Sequence, residues 1–217
     1  MKSRLLCGLC LLLGIVVLAG WWWGRRRLER SQDETILTAA QRYGVEPALV
    51  KAIIWRESRF NAKARGHSGE IGLMQLREEA AQAWADAEKI NGFLHENCFD
   101  PRTNILAGTW YLSKLLRRYL STDNPVPYAL ADYNAGRGNV LKWISGEGMT
   151  NSKIFIEQIR FPMTKDYVRS VMHRQERYHG MRQKAGRDQP VSTRAWKSIS
   201  TAFGGELILC ASHEATF

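Results

Sequence analysis

A chain of 217 residues carrying 31 Lys and Arg against 21 Asp and Glu has a formal net charge of +10 and a pI near 9.7. That length fits one medium-sized domain with tails, and 45% hydrophobic content excludes a chain too polar to bury a core. The charge draws nucleic acid, anionic lipid and acidic wall polymers alike; with no zinc-finger spacing, RNP-type motif or long basic helix, no nucleic acid is expected as a partner.

The first element is apolar. Lys2 and Arg4 precede an uncharged run from Leu5 to Gly20, then Trp21, Trp22 and Trp23, then Arg25, Arg26 and Arg27. Through the tryptophans the stretch reaches the about 20 residues a membrane-spanning helix needs, and tryptophans before a basic cluster resemble an interfacial belt. Residues 1–30 therefore read as a signal anchor. The alternative is a cleaved signal peptide with Val17-Leu18-Ala19 as its cleavage site. The arginines after the run do not by themselves put the C-terminal part outside. Cys7 and Cys10 lie inside the apolar run and are not expected to hold a metal. Cys98 and Cys210 are either a disulfide in an oxidising compartment or two free thiols.

Beyond this the recurring period is helical. Ser31 to Gly44 reads as a helix with a Ser31/Glu34 capping box and Gly44 as its stop. Pro47 to Ser58 is a second helix, with Pro47 at its first position. Asn61 to Gly72 carries three glycines and reads as a loop or short irregular hairpin. Gln75 to Ala87 is expected to be helical, Asn91 to Phe99 a connection, and Asp100-Pro101 the cap of a long amphipathic helix ending near Tyr119. Pro125 and Pro127 open a helix to Ala135, Asn139 to Ile144 is a short one, and Thr164 caps a last helix to about His179. No strand alternation of useful length occurs. The expected fold is mostly α, with a helical domain over residues 31–180 and an unassigned extension over 181–217 that is either flexible or a docking segment.

Glu57 stands out on the second helix. Val50, Ile53, Ile54 and Glu57 follow the i, i+3, i+4, i+7 stripe, so a carboxylate ends the core-facing side. Loss of water disfavours its charged form, and the carbonyls of the last helical turn repel a negative charge. Both raise its proton affinity, as a general acid requires. A surface glutamate beside Arg56 and Arg59 is the plainer alternative.

Three short motifs stand in order: Glu57-Ser58, Gly72-Leu73-Met74-Gln75 and Tyr133-Asn134-Ala135-Gly136. Asn104-Ile105, Gly108 and Tyr111-Leu112 lie between them, and Thr164 with Tyr167-Val168 follows. This ordered set, from about Pro47 to Tyr178, resembles lytic transglycosylases of the soluble lytic transglycosylase (SLT) family, whose catalytic domain is similar to goose-type lysozyme. The resemblance implies a lysozyme-like helical domain that cleaves the β-1,4 bond between N-acetylmuramic acid and N-acetylglucosamine in peptidoglycan, in the cell envelope at the periplasmic side. It implies Glu57 as the catalytic residue, acting as acid and then as base, with no water consumed and no metal or cofactor needed. It further implies Ser58, Gly72, Met74, Gln75, Tyr133, Asn134 and Tyr167 as cleft residues. Gln75 would bond sugar substituents, Gly72 would let the backbone pass close to the saccharide, and Tyr133 would hold Glu57 by its hydroxyl or support a sugar ring.

Three positions depart from that pattern. Gly66 stands where the family often has Ser, Arg77 where it has an apolar residue, and Met163 where Glu precedes Thr164. A two-carboxylate hydrolase would need a second acid opposite Glu57; Asp132, beside Tyr133, is the candidate. Two alternatives to the transglycosylase are thus a hydrolytic muramidase on the same fold and a non-catalytic wall-binding or secretion-apparatus protein.

Overall fold

The computed structural model describes the backbone of residues 2–185 and the side chains of residues 12–179. The C-terminal extension, with Cys210, lies outside the described residues, as do the side chains of Cys7 and Cys10. The chain divides into two units, Met1–Tyr178 and His179–Phe217.

The described elements are helical: α1 (Lys2–Arg30), α2 (Asp33–Tyr43), α3 (Pro47–Ser58), α4 (Glu78–Ala87), α5 (Pro101–Arg118), α6 (Pro125–Ala135), α7 (Arg137–Trp143), α8 (Ser152–Gln158) and α9 (Pro162–Ala185). Two 3-10 turns, His95–Phe99 and Gly146–Met149, join them. Among the described residues β pairing is limited to isolated bridges, Arg65 to Ile71 and Ile71 to Leu76, within the glycine-rich turn.

Punctuation residues set most of the boundaries. Pro47 opens α3 and Pro125 opens α6. Asp100 caps α5 by accepting from the Thr103 N–H at 2.8 Å. Gly44 ends α2 in the left-handed region, where a glycine carries no Cβ penalty. The expected capping box at Ser31 does not form. Helix α1 continues to Arg30, so the Ser31 hydroxyl donates back to the Leu28 carbonyl, and α2 starts only at Asp33. Helix α4 starts at Glu78 rather than Gln75, because Gln75 takes a left-handed backbone and Leu76 bridges to Ile71. Helix α7 begins at Arg137, directly after Gly136. Helix α8, capped by Asn151, is an element the periodicity did not reveal.

Helix α5 is the hub. It packs against α2, α4 and α6, and its buried face runs Asn104, Ile105, Gly108, Leu112, Leu115. The core continues through Leu49, Ile53 and Ile54 of α3 and Val168 and Val171 of α9. No described residue of α1 belongs to it. Among the described residues no helix is long and apolar enough to cross a membrane; the first part of the apolar run, through Leu11, has no described side chains.

Candidate active site

The end of α3 delivers Glu57. Immediately after it the chain turns through two left-handed residues without a glycine, Arg59 (φ 55°) and Phe60 (φ 66°). Such conformations are costly and persist only where the surroundings enforce them. Here the Arg59 N–H returns to the Trp55 carbonyl at 3.3 Å, its guanidinium lies 3.2 Å from the Trp55 ring centre, and Phe60 is buried in the core. Glu57 is half-buried, and its Oε1 accepts a 2.6 Å hydrogen bond from the Tyr167 hydroxyl of α9. Burial pushes its carboxyl up to about 7; the Tyr167 bond and neighbouring Arg56 pull down, and the negative charge of Glu70 pushes further up. Near neutral pH about half of such carboxyls hold a proton.

The turn from Asn61 to Arg77 follows α3 directly in the chain and is bonded to its last residue. Ser58, one residue after the acid, is buried and donates to the Ile54 and Leu73 carbonyls at 3.2 and 2.8 Å, tying this turn to α3. Gly72 (φ 79°) leaves no room for a side chain: a Cβ would collide with the Asn104 amide and the Cys98 carbonyl. The close approach that Gly72 makes within the protein is to α5 and to the 3-10 turn that precedes it. Asn104 is fully buried; it accepts from the Met74 N–H at 2.7 Å and donates to the Ile71 and Cys98 carbonyls at 3.0 and 2.9 Å. Met74 is fully buried with its sulfur over Gly108, so its side chain packs. The Gln75 amide donates inward to the Gly72 and Ala64 carbonyls at 2.9 and 3.2 Å, and its Oε1 is left facing the space over Gly66.

Helices α6 and α9 close the site. Tyr133 does not hold Glu57: its hydroxyl donates to the Met74 carbonyl at 2.7 Å, and its ring rests on Tyr111. Tyr167, 3% exposed, takes the role assigned to Tyr133. Both phenols are raised well above 10 by burial and by the Glu57 charge, so both remain hydrogen-bond donors. Exposed Asn134 accepts from the Thr164 hydroxyl at 2.8 Å, a bond between α6 and the first turn of α9; Thr164 thus links helices instead of capping one. Asp132, the candidate second acid, is 2% exposed and held by Arg118 at 2.5 Å and Tyr119 at 2.8 Å. Both bonds fall on its Oδ2 and tie α6 to the end of α5.

Asn104 and Glu70 were given no role by sequence reasoning. The signal for Asn104 was available, a polar residue on the apolar stripe of α5. Two of the three departures, Gly66 and Arg77, meet at Glu70: a Cβ at residue 66 would collide with Glu70 Oε2, and Arg77 Nε donates to Glu70 Oε1 at 3.0 Å. The third, Met163, is 80% exposed at the start of α9. Cys98 is a buried free thiol, raised by burial and by Asp100 to about 12. Among the described residues no cluster of His, Cys, Asp and Glu is arranged to hold a metal ion.

Known proteins share this architecture. The chain is 40% identical over 117 residues to the membrane-bound lytic murein transglycosylase C of Pectobacterium atrosepticum, covering 50% of this chain and 32% of that protein. An inactive variant of the lytic transglycosylase Slt of Pseudomonas aeruginosa superposes with a TM-score of 0.63 at 29% identity, over 70% of this chain and 24% of that one. The 70 kDa soluble lytic transglycosylase of Escherichia coli gives 0.62 at 27% identity, over 68% and 24%. The chain thus spans a third or less of the length of these relatives. The model of the transglycosylase SLT domain matches residues 34–156, which reach from α2 into α8 and include Glu57, Gln75 and Tyr133. The chain belongs to the transglycosylase SLT domain family.

Proposed function

We propose that this chain is a peptidoglycan lytic transglycosylase in which Glu57 is the catalytic residue. The observation that carries the reading is the Glu57 carboxyl, half-buried, bonded to Tyr167 and raised to about 7. Glu57 gives its proton to the glycosidic oxygen as the bond from muramyl C1 to that oxygen breaks, and N-acetylglucosamine leaves with a free hydroxyl. The muramyl 6-hydroxyl attacks C1, its proton passes to the Glu57 carboxylate, and a 1,6-anhydro ring closes. The acid is regenerated, no water is consumed, and the substrate's N-acetyl group stabilises charge at C1. The Gln75 Oε1 and the Tyr111 and Tyr133 rings are the proposed sugar contacts. Ser58, Gly72 and Met74 shape the wall behind them, and Asn134 holds the rim where α6 meets α9. Residues 1–30 serve as the anchor, keeping the catalytic domain (residues 31–180) at the periplasmic face of the inner membrane.

Digestion of purified sacculi followed by mass spectrometry tests the reading. Wild type is expected to release 1,6-anhydromuramyl ends, and Glu57→Gln to lose at least about 100-fold in rate. Reducing muramic acid ends would make it a hydrolase. Equal clearing by wild type and variant would remove Glu57 from the chemistry, and no clearing by either would make it a wall-binding protein.

A further inference from the structure

We propose that Arg56 and Asp166 are positioning residues of this site: their ion pair fixes the Tyr167 hydroxyl on Glu57. The pair and the acid's own hydrogen bond are adjacent rungs between two helices. In the last turn of α3, Arg56 precedes Glu57; in α9, Asp166 precedes Tyr167. Arg56 Nη2 donates to Asp166 Oδ2 at 3.1 Å, and the Tyr167 hydroxyl donates to Glu57 Oε1 at 2.6 Å. The two rungs are joined crosswise, because the Arg56 guanidinium stands over the Tyr167 ring, 5.6 Å from its centre. Arg56 Nε is closed off from water and finds no acceptor among the described residues. The hydrogen bond to Asp166 is thus what holds the guanidinium over the ring. The arginine next to Glu57 in the chain is turned onto α9, with its side chain 27% exposed.

The pair is not needed to seat α9. Val168 and Val171 are fully buried, and the Thr164 hydroxyl already bonds Asn134 of α6. The Asp166 side chain is 72% exposed, and ion pairs of that kind contribute little to stability. What the pair sets is where the Arg56 charge and the Tyr167 ring stand beside the acid. The charged and titratable groups acting on Glu57 are Arg56 on α3, Tyr167 on α9, Tyr133 on α6 and Glu70 on the turn. Burial favours the acid form of Glu57, whereas Tyr167 and Arg56 favour the carboxylate that remains once the proton has gone. Both of these opposing effects depend on geometry. A guanidinium that swings away, or a hydroxyl that leaves Oε1, makes Glu57 a weaker acid and lets its carboxyl rotate.

The inference rests on the transglycosylase reading only for the use made of the proton. Carbon-13 carboxyl NMR of the detergent-solubilised full chain without substrate follows the Glu57 midpoint directly, with Glu57→Gln assigning the resonance. Asp166→Ala is expected to raise that midpoint by about 0.3 to 0.8 pH unit, and Arg56→Gln at least as far. Asp166→Glu, which can re-form the pair, should return it to within about 0.2 unit of wild type. The sign separates positioning from charge: an Asp166 that acted on Glu57 through its own negative charge would lower the midpoint when removed. Added to Tyr167→Phe, which removes the bond the pair serves, Asp166→Ala should move the midpoint by less than half as much. On sacculi Asp166→Ala should lower kcat about 3- to 10-fold with KM within about twofold, and the alkaline limb of the rate should move up with the midpoint. A midpoint that falls or stays within about 0.2 unit in Asp166→Ala, or a shift of equal size with and without the Tyr167 hydroxyl, overturns the proposal. A wild type that cleaves nothing overturns the transglycosylase reading and leaves the midpoint readable.

Discussion

A carboxyl raised from 4.5 to about 7 has a consequence for stability as well as for chemistry. The folded chain binds this proton more tightly than the unfolded chain. Between the two values the native state therefore carries the extra proton, and stability falls as pH rises through that window. Above about 7 the native state holds an ionised, partly desolvated carboxylate at a cost of up to about 3 kcal/mol. Glu57→Gln removes the charge and keeps the shape, and Tyr167 can still donate to the amide oxygen. The variant is expected to melt above wild type at pH 8 and close to it at pH 4. A difference in melting temperature that does not change between those pH values would show that Glu57 is not held as described. The same residue displays what sequence reasoning can reach. Its place on the α3 stripe indicates burial, but its hydrogen-bond partner is 110 positions away, and nothing local distinguishes Tyr133 from Tyr167 as donor. Tyr167 lies beyond the residues that the family model matches.

Between α3 and α5 the glycine-rich turn is held as one piece, and Asn104 is its fastener. Its amide bonds three buried main-chain groups, the Met74 N–H and the Ile71 carbonyl of the turn and the Cys98 carbonyl beside it, and the Ile71 carbonyl also accepts from the Leu76 N–H at 3.0 Å. Asn104→Ala takes this partner from the buried Met74 N–H and Cys98 carbonyl and opens a void, a loss of about 3 kcal/mol. Chemical denaturation should record it, and the surviving folded fraction should have a weakened KM, since Gln75 and the Tyr133 acceptor move with the turn. A loss below about 1 kcal/mol would mean that water replaces the amide. Helix boundaries were readable where Pro47, Asp100-Pro101, Pro125 and Gly44 supply their own capping chemistry. They were misread at Ser31, Gln75 and Thr164, whose side chains or backbones answer to distant partners or to an adjoining helix. The turn itself was recognised as irregular, but its content was not, because Gly66, Glu70 and Arg77 have meaning only once folded together. Helix α8, seven residues long and capped by Asn151 rather than by a proline, left too short a pattern to see.

Among the described residues the core starts at Ile36, and no described side chain of α1 belongs to it. Trp21, Trp22 and Trp23 are 60, 54 and 75% exposed. Arg25 and Arg26 stand over the rings of Trp21 and Trp22 at 5.0 and 3.9 Å, so each of these two indoles turns a face toward a cationic group. Exposed indoles beside guanidinium groups suit the boundary between lipid tails and anionic headgroups. The α1 charges meet the domain with both signs, Arg25 repelling Arg59 while Glu29 attracts Arg174. Removing residues 2–30 is therefore expected to keep the melting temperature within about 3 °C of the full chain and to keep activity on solubilised glycan. It should abolish flotation with vesicles containing about one-third anionic phospholipid, which the full chain should show. Flotation of the shortened chain at wild-type levels would place the membrane contact on the domain itself. Collapse of its melting transition would make α1 part of the fold, and the proposed division between an anchor and a self-sufficient domain would fail.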